Sequence, residues 1–95
     1  MARYTVTSWQ EIPSMVEARD GADRHKVQLS GRFQELIDRV AMRRKLAGTD
    51  AYLQHWTRQR ARERDGSAKD VAHSVAEELE ASFASIEARA MTKQT

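Results

Sequence analysis

The strongest constraint in this sequence is a change of period at Ser30. Before it, apolar residues recur at every second position; after it, they recur at every third or fourth. In Tyr4-Thr5-Val6-Thr7, aromatic or β-branched residues alternate with threonine, the pattern of a half-buried strand. Two further runs, Ile12 to Arg19 and Arg24 to Leu29, flank Asp20-Gly21 and read as a hairpin. Placing Val16, Ala18, Val27 and Leu29 on the core face leaves Glu17, Arg19, Lys26 and Gln28 facing out, with Glu17 and Lys26 opposed across the strands. Pro13 has no amide hydrogen and so belongs at a strand start or an edge.

After Ser30, the residues Phe33, Leu36, Ile37, Val40, Ala41 and Leu46 form one helical stripe, which predicts a helix over 31–46 stopped by Gly48. Arg32, Glu35, Asp38 and Arg39 stand outside the stripe and read as an intrahelical ion-pair ladder. Thr49 or Asp50 opens a second helix with Ala51, Tyr52, Leu53 and Trp56 on its apolar side, and the Ala47-Gly48 link makes the two helices packed neighbours. Arg58, Arg60, Arg62 and Arg64 read as its solvated end, their spacing spreading charge around a helix. Asp65-Gly66 breaks the chain, and Ser67-Ala68-Lys69-Asp70 is a capping box that starts a third helix of about 25 residues with the stripe Val71, Val75, Leu79, Phe83, Ile86 and Ala90.

The expected fold class is therefore α+β: N-terminal antiparallel β-strands with a hairpin, packed on two short helices and followed by a long C-terminal amphipathic helix. Residues 1–64 form the compact strand-helix-helix module, and 65–95 the C-terminal helix. That helix has three options: to dock back, to extend outward as an arm, or to pair with a second copy in a homodimer, although its steps of 4, 4, 4, 3 and 4 are not a clean heptad.

Ninety-five residues support one domain with a thin core. The absence of cysteine removes disulfides, thiolate catalysis and the usual structural zinc sites. No window approaches the roughly 18 apolar residues of a membrane span, and the opening Met1-Ala2-Arg3-Tyr4-Thr5 lacks a signal-peptide run, so the expected compartment is the cytoplasm with no membrane partner. His25, His55 and His73 fall in three different elements without metal-ligand spacing, and the glycines at 21, 31, 48 and 66 stand singly rather than in a phosphate loop. No serine sits in a Gly-x-Ser-x-Gly turn. Neither a catalytic group, nor a metal site, nor a cofactor is expected. Charge is uneven: residues 1–66 carry 13 Lys/Arg against 9 Asp/Glu, and residues 67–95 carry 3 against 5.

The order strand, helix, short glycine turn, helix over 24–60 resembles the ribbon-helix-helix repressors. That resemblance implies nucleic-acid binding, with Arg24, Lys26 and Gln28 of a β-ribbon in the major groove and Thr49 or Asp50 near a phosphate. Strands upstream of residue 24 compete for the edge that such a ribbon pairs through, which makes this the runner-up.

A closer resemblance covers residues 5–56. It is carried by Thr7-Ser8-Trp9-Gln10-Glu11-Ile12-Pro13, by the Asp20-Gly21 turn, by Leu29-Ser30-Gly31-Arg32-Phe33-Gln34-Glu35-Leu36-Ile37-Asp38-Arg39-Val40-Ala41-Met42, and by Leu46-Ala47-Gly48-Thr49-Asp50-Ala51-Tyr52-Leu53-Gln54-His55-Trp56. These segments resemble the small bacterial domain known as the virulence factor family. The resemblance implies a short stand-alone bacterial protein, or a module that in some Gram-positive relatives sits at the end of a longer chain with helical repeats, and none of its segments is a catalytic motif. It also implies an association with methyltetrahydrofolate and corrinoid methyl-transfer enzymes as an accessory subunit, although the Asp-x-His-x-x-Gly pattern of corrinoid binding is absent.

The reading that follows is a non-enzymatic protein that acts by protein binding, an accessory or adaptor with a protein partner still to be identified. Trp9, Pro13, Tyr52 and Trp56 outline the expected partner surface, on the argument that aromatic side chains at element ends either roof a thin core or anchor a partner.

Overall fold

The computed structural model describes residues 1–92. Three strands open the chain: β1 (Ala2–Trp9), β2 (Ile12–Asp20) and β3 (Asp23–Gln28). β1 and β2 are joined through Gln10-Glu11, with Gln10 in the left-handed region at φ 52°. β2 and β3 are joined through Gly21-Ala22, where Gly21 takes φ 63° at no steric cost. The expected hairpin at Asp20-Gly21 is therefore present, and Glu17 lies opposite Lys26. Ser14 is an extra residue in β2, since Thr7 faces Met15 while Ser8 faces Pro13.

The segment read as a helix end is sheet instead. β4 (Trp56–Arg58) pairs with Thr7, Ser8 and Trp9, and β5 (Arg62–Arg64) pairs with Ala2, Arg3 and Tyr4. Both run antiparallel to β1, giving the order β3-β2-β1-β4 with β5 continuing the β4 edge. Alternating arginines at 58, 60, 62 and 64 have the period of a strand, which is why a helix could not gather them on one side.

Helix α1 (Gly31–Arg43) buries Phe33, Leu36, Ile37, Val40 and Ala41 as its stripe predicts. It ends before Gly48. Lys45 takes the left-handed position at φ 60°, its N–H bonding the Met42 carbonyl at 3.1 Å while the Leu46 N–H bonds that of Ala41 at 2.8 Å. The second helix, α2 (Asp50–Gln54), has only five residues, because Trp56 leaves it to enter β4. The expected single C-terminal helix is two, α3 (Ala68–Ala81) and α4 (Phe83–Thr92), interrupted at Ser82. The capping box holds, with the Ser67 hydroxyl accepting from the Asp70 N–H at 3.1 Å.

α3 lies on β1, β2 and β3, with α1 beside it on β2 and α4 bridging α1 and α3. Val6, Val16 and Ala18 of the sheet meet Val71, Ala72 and Val75 of α3 and the α1 stripe in one core. At the turn end of the first hairpin, Trp9 is wholly buried; its ring lies 5.5 Å from that of Tyr52, and its indole N–H donates to the Tyr52 carbonyl at 2.8 Å.

Charged links hold the helical layer. Glu80 of α3 receives the Ser30 N–H at 2.7 Å, the Ser30 hydroxyl at 2.8 Å and Arg32 at 2.9 Å, so it caps α1 from a neighbouring helix. Arg39 reaches Glu87 of α4 at 2.8 Å. These arginines therefore tie α1 to α3 and α4 rather than forming a ladder within α1; Asp38 is bonded within the helix by Gln34 instead. Partial burial by itself pushes the Glu80 carboxyl up, but the bonds from Ser30 and Arg32 outweigh it and hold the group below its ordinary value.

Two outcomes follow from this arrangement. Trp9→Ala removes the largest buried side chain and should cost about 3–5 kcal/mol in denaturant unfolding, a large part of the ~5–15 kcal/mol expected of a domain this size. Because the Glu80 carboxyl titrates lower in the folded chain than in the unfolded one, its contribution is present above the ordinary carboxylate range and is lost as pH falls through the folded value. Unfolding curves from about pH 6 down to about pH 3 should show a shallower loss of stability in Glu80→Gln than in the parent chain.

Candidate functional site

Alternation along the strands sends one set of side chains into the core and the other out. On β1, Ala2, Val6 and Ser8 are buried while Arg3 is exposed and Thr5 and Thr7 are half-buried. The strand register sorts the outward set into rows. Arg3 faces Arg19, Arg19 faces Arg24, and on its other side Arg3 faces Glu63. Below this, Thr5 faces Glu17 and Glu17 faces Lys26; in the third row Arg58 faces Thr7, Thr7 faces Met15, and Met15 faces Gln28.

Three arginines thus stand side by side across three strands, where like charges repel at close range. Glu17 is 8% exposed, and its carboxylate lies 3.7 Å from Arg24 and 3.9 Å from Lys26. The side chains of Arg3, Arg19 and Arg58 form no ion pair or hydrogen bond among the described residues. Together with Thr5, Glu17 and Ala61 they line a shallow pocket of about 310 Å³. Among its lining residues Glu17 is buried and Thr5 half-buried, while Arg3, Arg19, Arg58 and Ala61 are exposed.

The four residues expected to form a partner surface divide. Trp9, Tyr52 and Trp56 are brought together, with Tyr52 and Trp56 rings 6.4 Å apart. Trp9 and Pro13 are buried, Trp9 as part of the core, while Tyr52 and Trp56 keep part of their surface. Trp56 lies two residues before Arg58 on the same strand and bounds the outward face at that end. Leu53 and Met42 are exposed nearby, at 67% and 62%.

Arg24, Lys26 and Gln28, named for the DNA alternative, do share the outward face. β3 is nevertheless part of a five-stranded sheet with β2 on one side, and the helix that should follow α1 in a ribbon-helix-helix unit is a turn and a half long. His25 and His73 come together, their rings 5.1 Å apart between β3 and α3. Among the described residues no group of three or more His, Cys, Asp or Glu is placed to hold a metal ion. No described helix is long and apolar enough to cross a membrane.

Sequence reasoning missed Arg3, Arg19 and Arg58 as one cluster. The signal was present in the alternation of Arg3 with Thr5 and Thr7 and of Arg19 with Glu17, but only strand order brings them together.

The model of the virulence factor family matches residues 7–91, from β1 into α4. The chain belongs to the virulence factor family. The match extends well beyond the stretch 5–56 and takes in both C-terminal helices. No curated protein and no solved structure matches the chain. Membership in the virulence factor family supplies a relationship and no residue roles, so those rest on the geometry above.

Glu17 is the carboxylate that offsets the outward cations at close range. Glu17→Gln should lower stability by about 1 kcal/mol at low salt, with the deficit shrinking as salt screens the remaining repulsion. Parallel thermal melts of the two chains at low and high sodium chloride measure this.

Proposed function

We propose that this virulence factor family protein works without catalysis, as an accessory protein that docks on an acidic surface of a partner protein through the outward face of its sheet. The observation that carries the reading is the charge of that face. Arg3, Arg19, Arg24, Lys26 and Arg58 stand against Glu17 and the edge residue Glu63. A field of one sign steers an oppositely charged partner and fixes its orientation.

An aromatic platform for stacking bases is missing from the three rows, whose one apolar member is Met15. Protein docking therefore accounts for the face better than single-stranded nucleic acid does. Trp56 and Tyr52, half-buried at its end, supply the aromatic contact that a polar surface needs for affinity. The resemblance of residues 5–56 makes methyltetrahydrofolate and corrinoid methyl-transfer enzymes the first partners to try.

The test is titration of the purified protein against such an enzyme by calorimetry, with association rates measured over a range of salt. Binding should weaken as salt rises and should fall roughly 10- to 100-fold in the double variant Arg3→Glu, Arg58→Glu, chiefly through slower association. Absent binding at low salt, or binding that ignores both salt and charge reversal, overturns the proposal.

A further inference from the structure

We infer that the pocket lined by Arg3, Arg19 and Arg58 is a binding site for a dianionic phosphate monoester group. The inference shares with the proposed function the view that the outward sheet face is a working surface, but it needs no partner protein.

Three features converge on an oxyanion. The first is that none of these three guanidinium groups has a carboxylate within ion-pair distance among the described residues, although Glu63 stands opposite Arg3, whereas Arg24 and Lys26 lie against Glu17. Each guanidinium presents several N–H donors in a fixed plane that matches the oxygens of a phosphate. The second is shape. About 310 Å³ of space lies at the lower end of ligand-pocket sizes, enough for a phosphate carrying a small group, and Thr5, whose side chain carries a hydroxyl donor, is among the lining residues.

The third is the electrostatic cost of the free state. Arg3 and Arg19 are direct cross-strand neighbours, and Arg19 also neighbours Arg24, so the row repels itself until an anion lies over it. A dianion matches three guanidinium groups without an ion pair better than a carboxylate, which a single arginine satisfies. Glu17 also lines the pocket, and the two cations of β3 beside it offset its charge. The phosphate group has two sources, a free small molecule or a phosphorylated side chain of another protein, and the pocket recognises the chemistry common to both.

The experiment uses the whole chain with inorganic phosphate, phenyl phosphate and a phosphoserine peptide as probes, followed by calorimetry and by amide chemical shifts of β1, β2 and β4. Saturable binding is expected, with about tenfold weakening in each of Arg3→Gln, Arg19→Gln and Arg58→Gln. Arg62→Gln, on β5 and outside the pocket, should bind as the parent does. Equal affinity for the two small probes and the peptide identifies a free phosphate compound as the source, and much tighter peptide binding identifies a phosphorylated protein.

Arg19→Gln carries a second signature. It removes the middle charge of the row, so the free protein should melt higher than the parent while binding phosphate less well. Loss of saturable binding in the parent overturns the inference, and so does equal weakening by Arg62→Gln, which would mean a diffuse charge effect. Tighter, steeply salt-dependent binding of a DNA duplex with no response to the phosphate probes overturns it as well. Phosphate binding without enzyme docking, or docking without phosphate binding, separates the fate of this inference from that of the proposed function.

Discussion

β1 is hydrogen-bonded on both sides, to β2 along nearly its whole length and to β4 and β5 at its two ends. This ladder fixes the parity of every neighbouring side chain, because a slip of one residue on any strand would exchange its core set for its outward set. Ala2, Val6 and Ser8 are committed to the helix side, and the alternate positions Arg3, Thr5 and Thr7 to the other. The core under α3 and the cationic rows are therefore two consequences of one register. A chain with a thin core has little free energy to spare for misregister, and the buried Trp9 at the end of β1 adds a penalty against it. Its indole N–H bond to Tyr52 ties the sheet to α2, whose chain then returns as β4 beside the same strand.

The helical layer is held by a different kind of contact. Exposed ion pairs contribute little, so Arg64 with Glu78 at 2.7 Å counts mainly as an orienting link between β5 and α3. Glu80 does more, because its carboxylate takes a backbone N–H at the start of α1, where the aligned peptide dipoles favour negative charge. Arg32, beside it, lies 4.4 Å from the Phe83 ring centroid and covers the junction of α3 and α4. Arg44 is the buried member of this set, 3% exposed at its side chain, bonded to Glu11 of the first turn at 3.0 Å and to the Ala90 carbonyl of α4 at 3.0 Å. Three elements distant in sequence meet at that one guanidinium. Such a group enforces arrangement more than it adds stability, since desolvating it offsets much of what its bonds return.

The elements with strong local periodicity were legible: the hairpin at Asp20-Gly21, the apolar stripe of α1 and the Ser67 cap of α3 each follow from residues within one or two turns of each other. The errors fell where tertiary context decides. Residues 56–64 carry an alternating pattern of arginines that local reading placed on a helix end, because the partner strand that makes it β-structure lies some fifty residues earlier. Ser82 interrupts what the stripe from Val71 to Ala90 presents as one helix, and nothing in its immediate neighbours marks the break. The aromatic surface was half legible for a related reason. Trp9, Tyr52 and Trp56 do lie in one cluster, but spacing alone does not tell which ring roofs the core and which faces water. Trp9 is enclosed by Tyr52 and by His55, whose ring lies 5.8 Å away, and those residues reach it only because α2 turns back over the sheet.

The arrangement of the outward face needs an explanation that stability does not provide. Neutral polar residues at positions 3 and 19 would keep the alternation, the register and the core intact while removing the repulsion along the row. Solubility does not require the clustering either, since the same charges spread over the helices would serve it as well. Arg3, Arg19 and Arg58 also line a recess together with Thr5, Glu17 and Ala61. A row of like charges beside a concavity is the arrangement on which the proposed anion binding rests. It accounts for the outward face without appeal to the core beneath it.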